Sequence, residues 1–492
     1  MKIATGTGAV LLRDSGIYLL GNLMQKATAF VLIPLYTTRL STSQYGLLEL
    51  AGTVLNLALV AAALGVPAAI NKCLHRDCPD EAARRRLLGT VSLFTLVAAL
   101  SLGAAAWAAQ APLARFLFPG PEGLLVTRYT IIWLTLAQCA QIPFEYLRAS
   151  GRAHLYVGLS LSQLVAQTAC TLILVLQRGW GLEGVLAGNI AGLSVVNLVG
   201  GLALLPRAVW GIDRRLLRAL ASYGLAMVPV FVSGWIVNLS DRFFLTAFVG
   251  LSALGVYSLG YKFGALLDLL LVMPFQRAWT PIFFRVSHEP DAPATLSRVA
   301  TYLGAALSFA ALGVSLAVPP FLRLGAGADF RGAGGIVPLV CLAYILGGLA
   351  NCFGNGLIVA ERVRLVAAYA GLAAAAKLLF SALLIPWAGT YGAASATILA
   401  FAVQLTGVLR SLRRHYPVPV EWRRILGSFL AAGVPLGLSL LLPELPLLAD
   451  VAVRLALLSL FPVFVLMLRL PKPEEVSAIA RIAQALPARR RA

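Results

Sequence analysis

The stretch GIVPLVCLAYILGGLANCFGNGLIVA, Gly335 to Ala360, runs for 26 residues without a single charged side chain. A bilayer core about 30 Å thick is crossed by a helix of roughly 20 apolar residues, so this stretch can span a membrane unaided. Runs of the same character recur about fourteen times between Ser15 and Arg469, and no connection between them exceeds about 20 residues. In lipid, backbone N–H and C=O groups must be paired within the segment, which a helix does for itself. The expected fold is therefore an all-α integral membrane protein of about 14 transmembrane helices. With 59% hydrophobic and 12% charged residues, little material is left for a water-soluble domain.

The 40 Lys and Arg against 20 Asp and Glu give a net charge of +20. Their placement explains the excess. The two ends and alternate connections hold 28 of the 40, while the remaining connections hold five: Arg39, Arg115, Arg178, Arg323 and Arg331. Cytoplasmic connections are the ones enriched in Lys and Arg, so both termini are expected in the cytoplasm. A basic chain of this kind does not call for a nucleic acid partner, because no soluble face collects the charge; its partner is the bilayer. The first run carries Lys26 in its middle and has no small-x-small cleavage site, so it is expected to remain as a span.

A weak internal repeat divides the chain. Leu40–Leu47 (LSTSQYGL) aligns with Val249–Val256 (VGLSALGV) at an offset of 209, Gly151-Arg152 with Glu361-Arg362 at 210, and Gly181 with Gly392 at 211. Two six-helix lobes in pseudo-twofold repeat follow, with an axis along the membrane normal, plus two C-terminal helices. The expected segments are a cytoplasmic N-terminus (1–14), an N-lobe (15–205), a cytoplasmic linker (206–221), a C-lobe (222–409), a loop with spans thirteen and fourteen (410–468), and a basic amphipathic tail (469–492). In that tail Val476, Ile479, Ala480, Ala483 and Leu486 recur at helical spacing beside Arg481 and Arg489 to Arg491, a pattern suited to an anionic membrane surface.

Several short motifs resemble those of a known family. Leu239–Leu245 (LSDRFFL), Gly250, Leu254–Leu259 (LGVYSL), Tyr261-Lys262 and Pro274–Pro281 (PFQRAWTP) resemble the start of the second half of bacterial polysaccharide flippases. These belong to the superfamily of multidrug, oligosaccharidyl-lipid and polysaccharide exporters. Pro34–Leu40 (PLYTTRL), Tyr45-Gly46 and Leu147–Arg152 (LRASGR) match the family's first half. The resemblance covers spans one to twelve. It implies a non-enzymatic protein of the bacterial inner membrane. Its work would be to flip an undecaprenyl-pyrophosphate-linked oligosaccharide to the outer leaflet by alternating access, for O-antigen, exopolysaccharide or capsule synthesis. A polysaccharide polymerase and glycosyltransferases are then further partners to consider.

The chemistry of such a cargo selects the candidate residues. An anionic, hydrated head group needs inward-facing cations and hydroxyls along its path. Lys26 and Lys262 lead, since each lies within an early span of its half with no acid three or four residues away. Arg128, Arg242, Lys377, Arg277 and Arg39 complete the candidate substrate contacts. No cofactor is expected, but a driving proton or sodium ion would have Asp241 and Asp268 as its candidates, the two acids well inside spans. Neighbouring Asp241 and Arg242 point about 100° apart on a helix and are not expected to pair face to face. Gln138, Gln141, Gln163, Gln167 and Asn189 either line a wetted wall or join helices, and Gly184-x3-Gly188-x3-Gly192 reads as helix packing.

No phosphate-binding Gly-x4-Gly-Lys-Ser/Thr loop occurs, so ATP hydrolysis is not expected. Cys73, His75 and Cys78 lack a fourth ligand of their kind, and no metal site is expected. Three other functions stay open. A peptidoglycan lipid-precursor flippase would grip the same pyrophosphate. A MATE-type multidrug exporter would favour an acid-centred pocket, against seven in-span bases here. A membrane glycosyltransferase or polymerase would need a catalytic base and a large outer loop.

The topology is directly testable. Cysteines placed at Ser287 and Thr390, in connections of opposite kind, should label from opposite sides of the membrane; labelling of both from one side would refute the fourteen-span arrangement.

Overall fold

The computed structural model of this chain describes residues 30 to 62, 70, 73 to 74, 80 to 204, 206, 208 to 443 and 445 to 472. Lys26, most of the first expected span, His75, Cys78 and the tail beyond residue 472 lie outside the described residues. Every regular element among the described residues is helical. Ten helices there combine the length and apolarity of a membrane crossing, so the chain is a multi-pass integral membrane protein. That count is of the described residues alone, and it does not confirm the expected number of fourteen. The chain packs as two compact units, residues 1 to 255 and 256 to 492.

The first unit holds α1 (Ile33–Arg39), α2 (Thr42–Ala62), α3 (Glu81–Ala108), α4 (Gln110–Leu117), α5 (Gly123–Ala149), α6 (Ala153–Leu172), α7 (Gly181–Leu204), α8 (Arg214–Leu239) and α9 (Asp241–Phe248), and it closes on the first turn of α10 (Leu251–Gly264). Side-chain bonds tie these helices at their ends. Gln44 donates to Glu122 at 2.8 Å, and the Tyr129 hydroxyl donates to Glu183 at 2.8 Å. The glycine series on α7 is packing. A Cβ on Gly188 would sit 2.0 Å from the Thr171 hydroxyl, and one on Gly192 would sit 2.9 Å from the Gln163 carbonyl, so α6 and α7 approach to backbone distance. At the same interface Gln167 donates to Asn189 at 2.6 Å, which makes that pair a helix-to-helix tie.

One close helix crossing in this unit joins repeat-related residues. A Cβ on Gly46 of α2 would lie 2.1 Å from the Leu251 carbonyl oxygen, and one on Gly255 would lie 2.0 Å from that of Thr42. Thr42 and Leu251 are themselves equivalent at the offset of 209, as are Gly46 and Gly255. The crossing is reciprocal: each glycine leaves room for the backbone at the other's side.

The second unit contains α10 beyond its first turn, α11 (Met273–Val286), α12 (Ala292–Gly325), α13 (Val337–Val359), α14 (Val363–His415), α15 (Trp422–Leu440) and α16 (Leu447–Met467). At 53 residues α14 would run about 80 Å if straight. It does not run straight, because Gly389 adopts φ 53°, ψ −127°, outside the helical region and open to glycine. Tyr369 meets Ser411 at 2.6 Å, and Lys377 reaches Thr397 at 2.5 Å. Such pairing is antiparallel, so the expected spans 365–386 and 390–409 are the two arms of one hairpin. Among the described residues uncharged α13 is the most enclosed crossing, with Val337, Cys341, Cys352 and Leu357 fully buried.

Overpacking at a backbone contact costs about 1 to 3 kcal/mol. Gly46→Ala and Gly255→Ala should each lower thermal stability by that order. The double variant should cost less than the two together, because either methyl alone already parts the helices. Differential scanning of the detergent-purified variants gives the comparison.

Candidate functional site

In the first unit the α8–α9 junction carries a buried charge pair. The i→i−4 ladder breaks at Ser240, where Phe243 N–H bonds the Ser240 carbonyl instead. Arg242 curls back there, donating from Nη1 to the Asn238 carbonyl at 3.0 Å and to the Asp241 carboxylate at 3.3 Å. The two side chains are 5% and 0% exposed, which makes them an ion pair despite their adjacency. The helical angle of about 100° between neighbours is overridden by the reach of the arginine side chain.

In the second unit the sequence places Lys262 beside Tyr261, and a polar seam continues from there. Lys262 is half-buried on α10. Tyr261 is buried, and its hydroxyl meets that of Tyr344 on α13 at 2.9 Å. A π-helical turn follows at Asp268–Val272 and puts half-buried Asp268 at its head. The cause is Pro274, which cannot donate to the carbonyl four residues back and would clash with it; a wider turn before it removes the conflict. Beyond the turn, Gln276 donates to the Gly348 carbonyl at 3.4 Å, Asn355 donates to Gln276 at 3.5 Å, and the Thr280 hydroxyl donates to Asn355 at 3.3 Å. A ladder of hydroxyls and amides thus joins α11 to α13, and such groups exchange partners with sugar hydroxyls at little cost.

The other candidates stand apart from that seam. Lys377 is fully buried between the arms of α14, donating to the Ala393 carbonyl at 3.3 Å and the Thr397 hydroxyl at 2.5 Å. Arg39 and Arg277 are exposed, and exposed Arg128 donates to Gln110 of α4 at 2.7 Å. Two features escape a reading of the sequence. The Gln276–Thr280–Asn355 ladder depends on residues 75 to 79 positions apart meeting across two helices. Asp450 looks like a span end, yet it is 1% exposed and holds Arg454 at 2.7 Å and Arg323 at 3.3 Å, fastening α16 to α12. The signal available in the sequence for the second was the i, i+4 spacing of Asp450 and Arg454.

A family model described as polysaccharide biosynthesis protein matches residues 11 to 287. Solved structures resemble the chain at low identity. The lipid II flippase MurJ, in an inward closed conformation, is 12% identical with a TM-score of 0.70, covering 91% of this chain and 97% of that one. An inward-facing multidrug resistance MATE family transporter of the MOP superfamily is 13% identical with a TM-score of 0.63, over 81% of this chain and 96% of that one. A MOP superfamily transporter from Pyrococcus furiosus, described as having a binding pocket of reversed polarity, is 13% identical with a TM-score of 0.57, over 87% and 95%. These likenesses establish the fold. No curated protein matches the chain by sequence.

Lys377→Met keeps the volume of the side chain but removes the bonds to Ala393 and Thr397. It should cost about 1 to 3 kcal/mol of stability, the range for breaking buried hydrogen bonds. Thermal unfolding in detergent measures it, and an unchanged midpoint would remove Lys377 from the fabric of the hairpin.

Proposed function

The chain belongs to the polysaccharide biosynthesis protein family, and we propose that it flips an undecaprenyl-pyrophosphate-linked oligosaccharide from the inner to the outer leaflet of the bacterial cell membrane. The observation that carries this reading is the combination of that family match with a fold shared with transporters. A family concerned with making polysaccharide, folded as a carrier rather than around a soluble catalytic domain, is suited to moving the lipid-linked glycan between leaflets.

The residues fit the task in kind. The lipid tail needs no protein path, since it can stay in the bilayer while the head group crosses. The head group needs cations for its pyrophosphate and hydroxyl or amide groups for its sugars. Lys262 is the proposed cation, next in sequence to Tyr261, and Tyr261, Gln276, Thr280 and Asn355 supply polar groups along the α10–α11 seam. Lys26 is its proposed counterpart in the first half. Asp241 and Asp268 are the proposed acids for coupling to a proton or sodium ion. Asp241 is already paired with Arg242, so its part would require that pair to open. Alternating access with both termini in the cytoplasm completes the proposal, and none of these steps calls for covalent catalysis.

One second reading has a specific observation behind it. The TM-score of 0.70 is to a lipid II flippase, and a pyrophosphate grip serves any glycan on the same carrier. Transport of a peptidoglycan precursor is therefore the alternative.

Complementation separates these. In a strain lacking its surface-polysaccharide flippase, the wild-type chain should restore surface polysaccharide, and Lys262→Gln should reduce it by roughly tenfold or more at matched membrane expression, with Lys262→Arg intermediate. Restoration by Lys262→Gln to the wild-type level would remove this residue from the grip. Rescue of a strain depleted of its peptidoglycan-precursor flippase, without rescue of surface polysaccharide, would favour the second reading.

A further inference from the structure

The connection from α7 to α8 is strapped across the start of α3. Val209 N–H donates to the Arg85 carbonyl at 3.1 Å. The Thr90 hydroxyl donates to the Gly211 carbonyl at 3.1 Å and accepts the Asp213 N–H at 3.1 Å. Gly89 makes the strap possible, because a Cβ there would lie 1.9 Å from the Val209 carbonyl oxygen. Held this way, the strap turns Trp210 and Ile212 outward, each 54% exposed.

Immediately beyond it, Arg214, Arg215, Arg218 and Ser222 line a cavity of about 480 Å³. Arg214, Arg218 and Ser222 recur every four residues and so share one face of α8. Among the described residues no carboxylate pairs with the three guanidinium groups. Asp213, adjacent in sequence, caps the helix: its Oδ1 accepts the Arg215 and Leu216 N–H groups at 2.9 and 3.2 Å. Like charges four residues apart repel. A cavity lined by three arginines that no described carboxylate pairs is complementary to an anion from outside the chain.

We propose that this cavity binds the phosphate of an anionic glycerophospholipid in the leaflet on the arginine-rich side of the membrane. Guanidinium forks match phosphate oxygens in pairs. Exposed Trp210 and Ile212, one short turn away, fix the depth, since tryptophan favours the boundary between head groups and acyl chains. A lipid meets both requirements at once, because its phosphate and its chains belong to one molecule. The bound lipid would link the strap, and through it α3, to the start of α8.

The test uses the full chain, purified in detergent and incubated with equal amounts of phosphatidylglycerol and phosphatidylcholine, with retained lipid read by native mass spectrometry. Wild-type protein should retain phosphatidylglycerol in preference, and inorganic pyrophosphate should not displace it. The Arg214→Gln/Arg218→Gln double variant should retain roughly tenfold less of the anionic lipid, while the corresponding double Lys variant keeps most of it. Should the double Gln variant not fold, Arg218→Gln alone, on an exposed side chain, should still show a reduced preference. Equal retention of the two lipids by wild type, or an unchanged preference in the Gln variants, overturns the proposal. So does displacement by pyrophosphate, which would assign the cavity to a soluble phosphate.

Discussion

In lipid the hydrophobic effect gives helices no net reason to associate, so what holds the helices within each unit together is contact at very short range between surfaces that fit. The reciprocal crossing of Gly46 and Gly255 expresses that constraint most directly, with each glycine facing a backbone carbonyl at a distance no side chain would allow. The same logic runs through α6 and α7, where Gly188 and Gly192 admit Thr171 and the Gln163 carbonyl. Once backbones are this close, short polar side chains reach across. Gln167 bonds Asn189, Asn197 bonds the Leu136 carbonyl and Tyr369 bonds Ser411, each tying two crossings. Dispersion contacts and a few such bonds thus take over the role that water-driven burial has in a soluble core.

Buried charge is the second constraint, and the structure meets it in distinct ways. Arg242 and Asp241 neutralise each other at a helix break. Asp450 is shared by Arg323 and Arg454, so that a carboxylate is repaid twice. Lys377 takes oxygen ligands from a neighbouring arm of its own hairpin. Outside the spans, burial pushes Glu421 up, but hydrogen bonds from Lys472, Arg424 and Thr301 outweigh it and hold the carboxyl below its usual range. Each of these charges is compensated within the fold. Lys262 is half-buried rather than enclosed.

The sequence told these roles apart only in part. Charge in a span marks a residue that must be compensated, and it marked Lys262, Lys377, Arg242 and Asp268 alike. Spacing along one helix cannot tell whether the compensation comes from another helix, from water or from cargo. Arg242 pairs with Asp241 although neighbours on a helix point about 100° apart, because helical angles describe Cβ directions and not the end of a long side chain. The Gln276–Thr280–Asn355 ladder was invisible for a related reason: each of its members is an ordinary polar residue until its neighbour across the interface is known.

What the sequence determined by itself was the set of properties imposed by the bilayer on any chain. Run length and the absence of charge fixed helices of spanning size, as in Gly335 to Ala360. The offset of 209 pairs Gly46 with Gly255 in the sequence itself. Tertiary structure decided which side chains those helices turn toward one another. It folded α14 back at Gly389, seated Pro274 behind a π-helical turn, enclosed Lys377, and strapped residues 209 to 213 over Gly89. The division has a physical cause. Apolarity and length answer to a solvent that is the same all along the chain, whereas the environment of a side chain is set by whichever distant segment packs against it, and no local pattern carries that information.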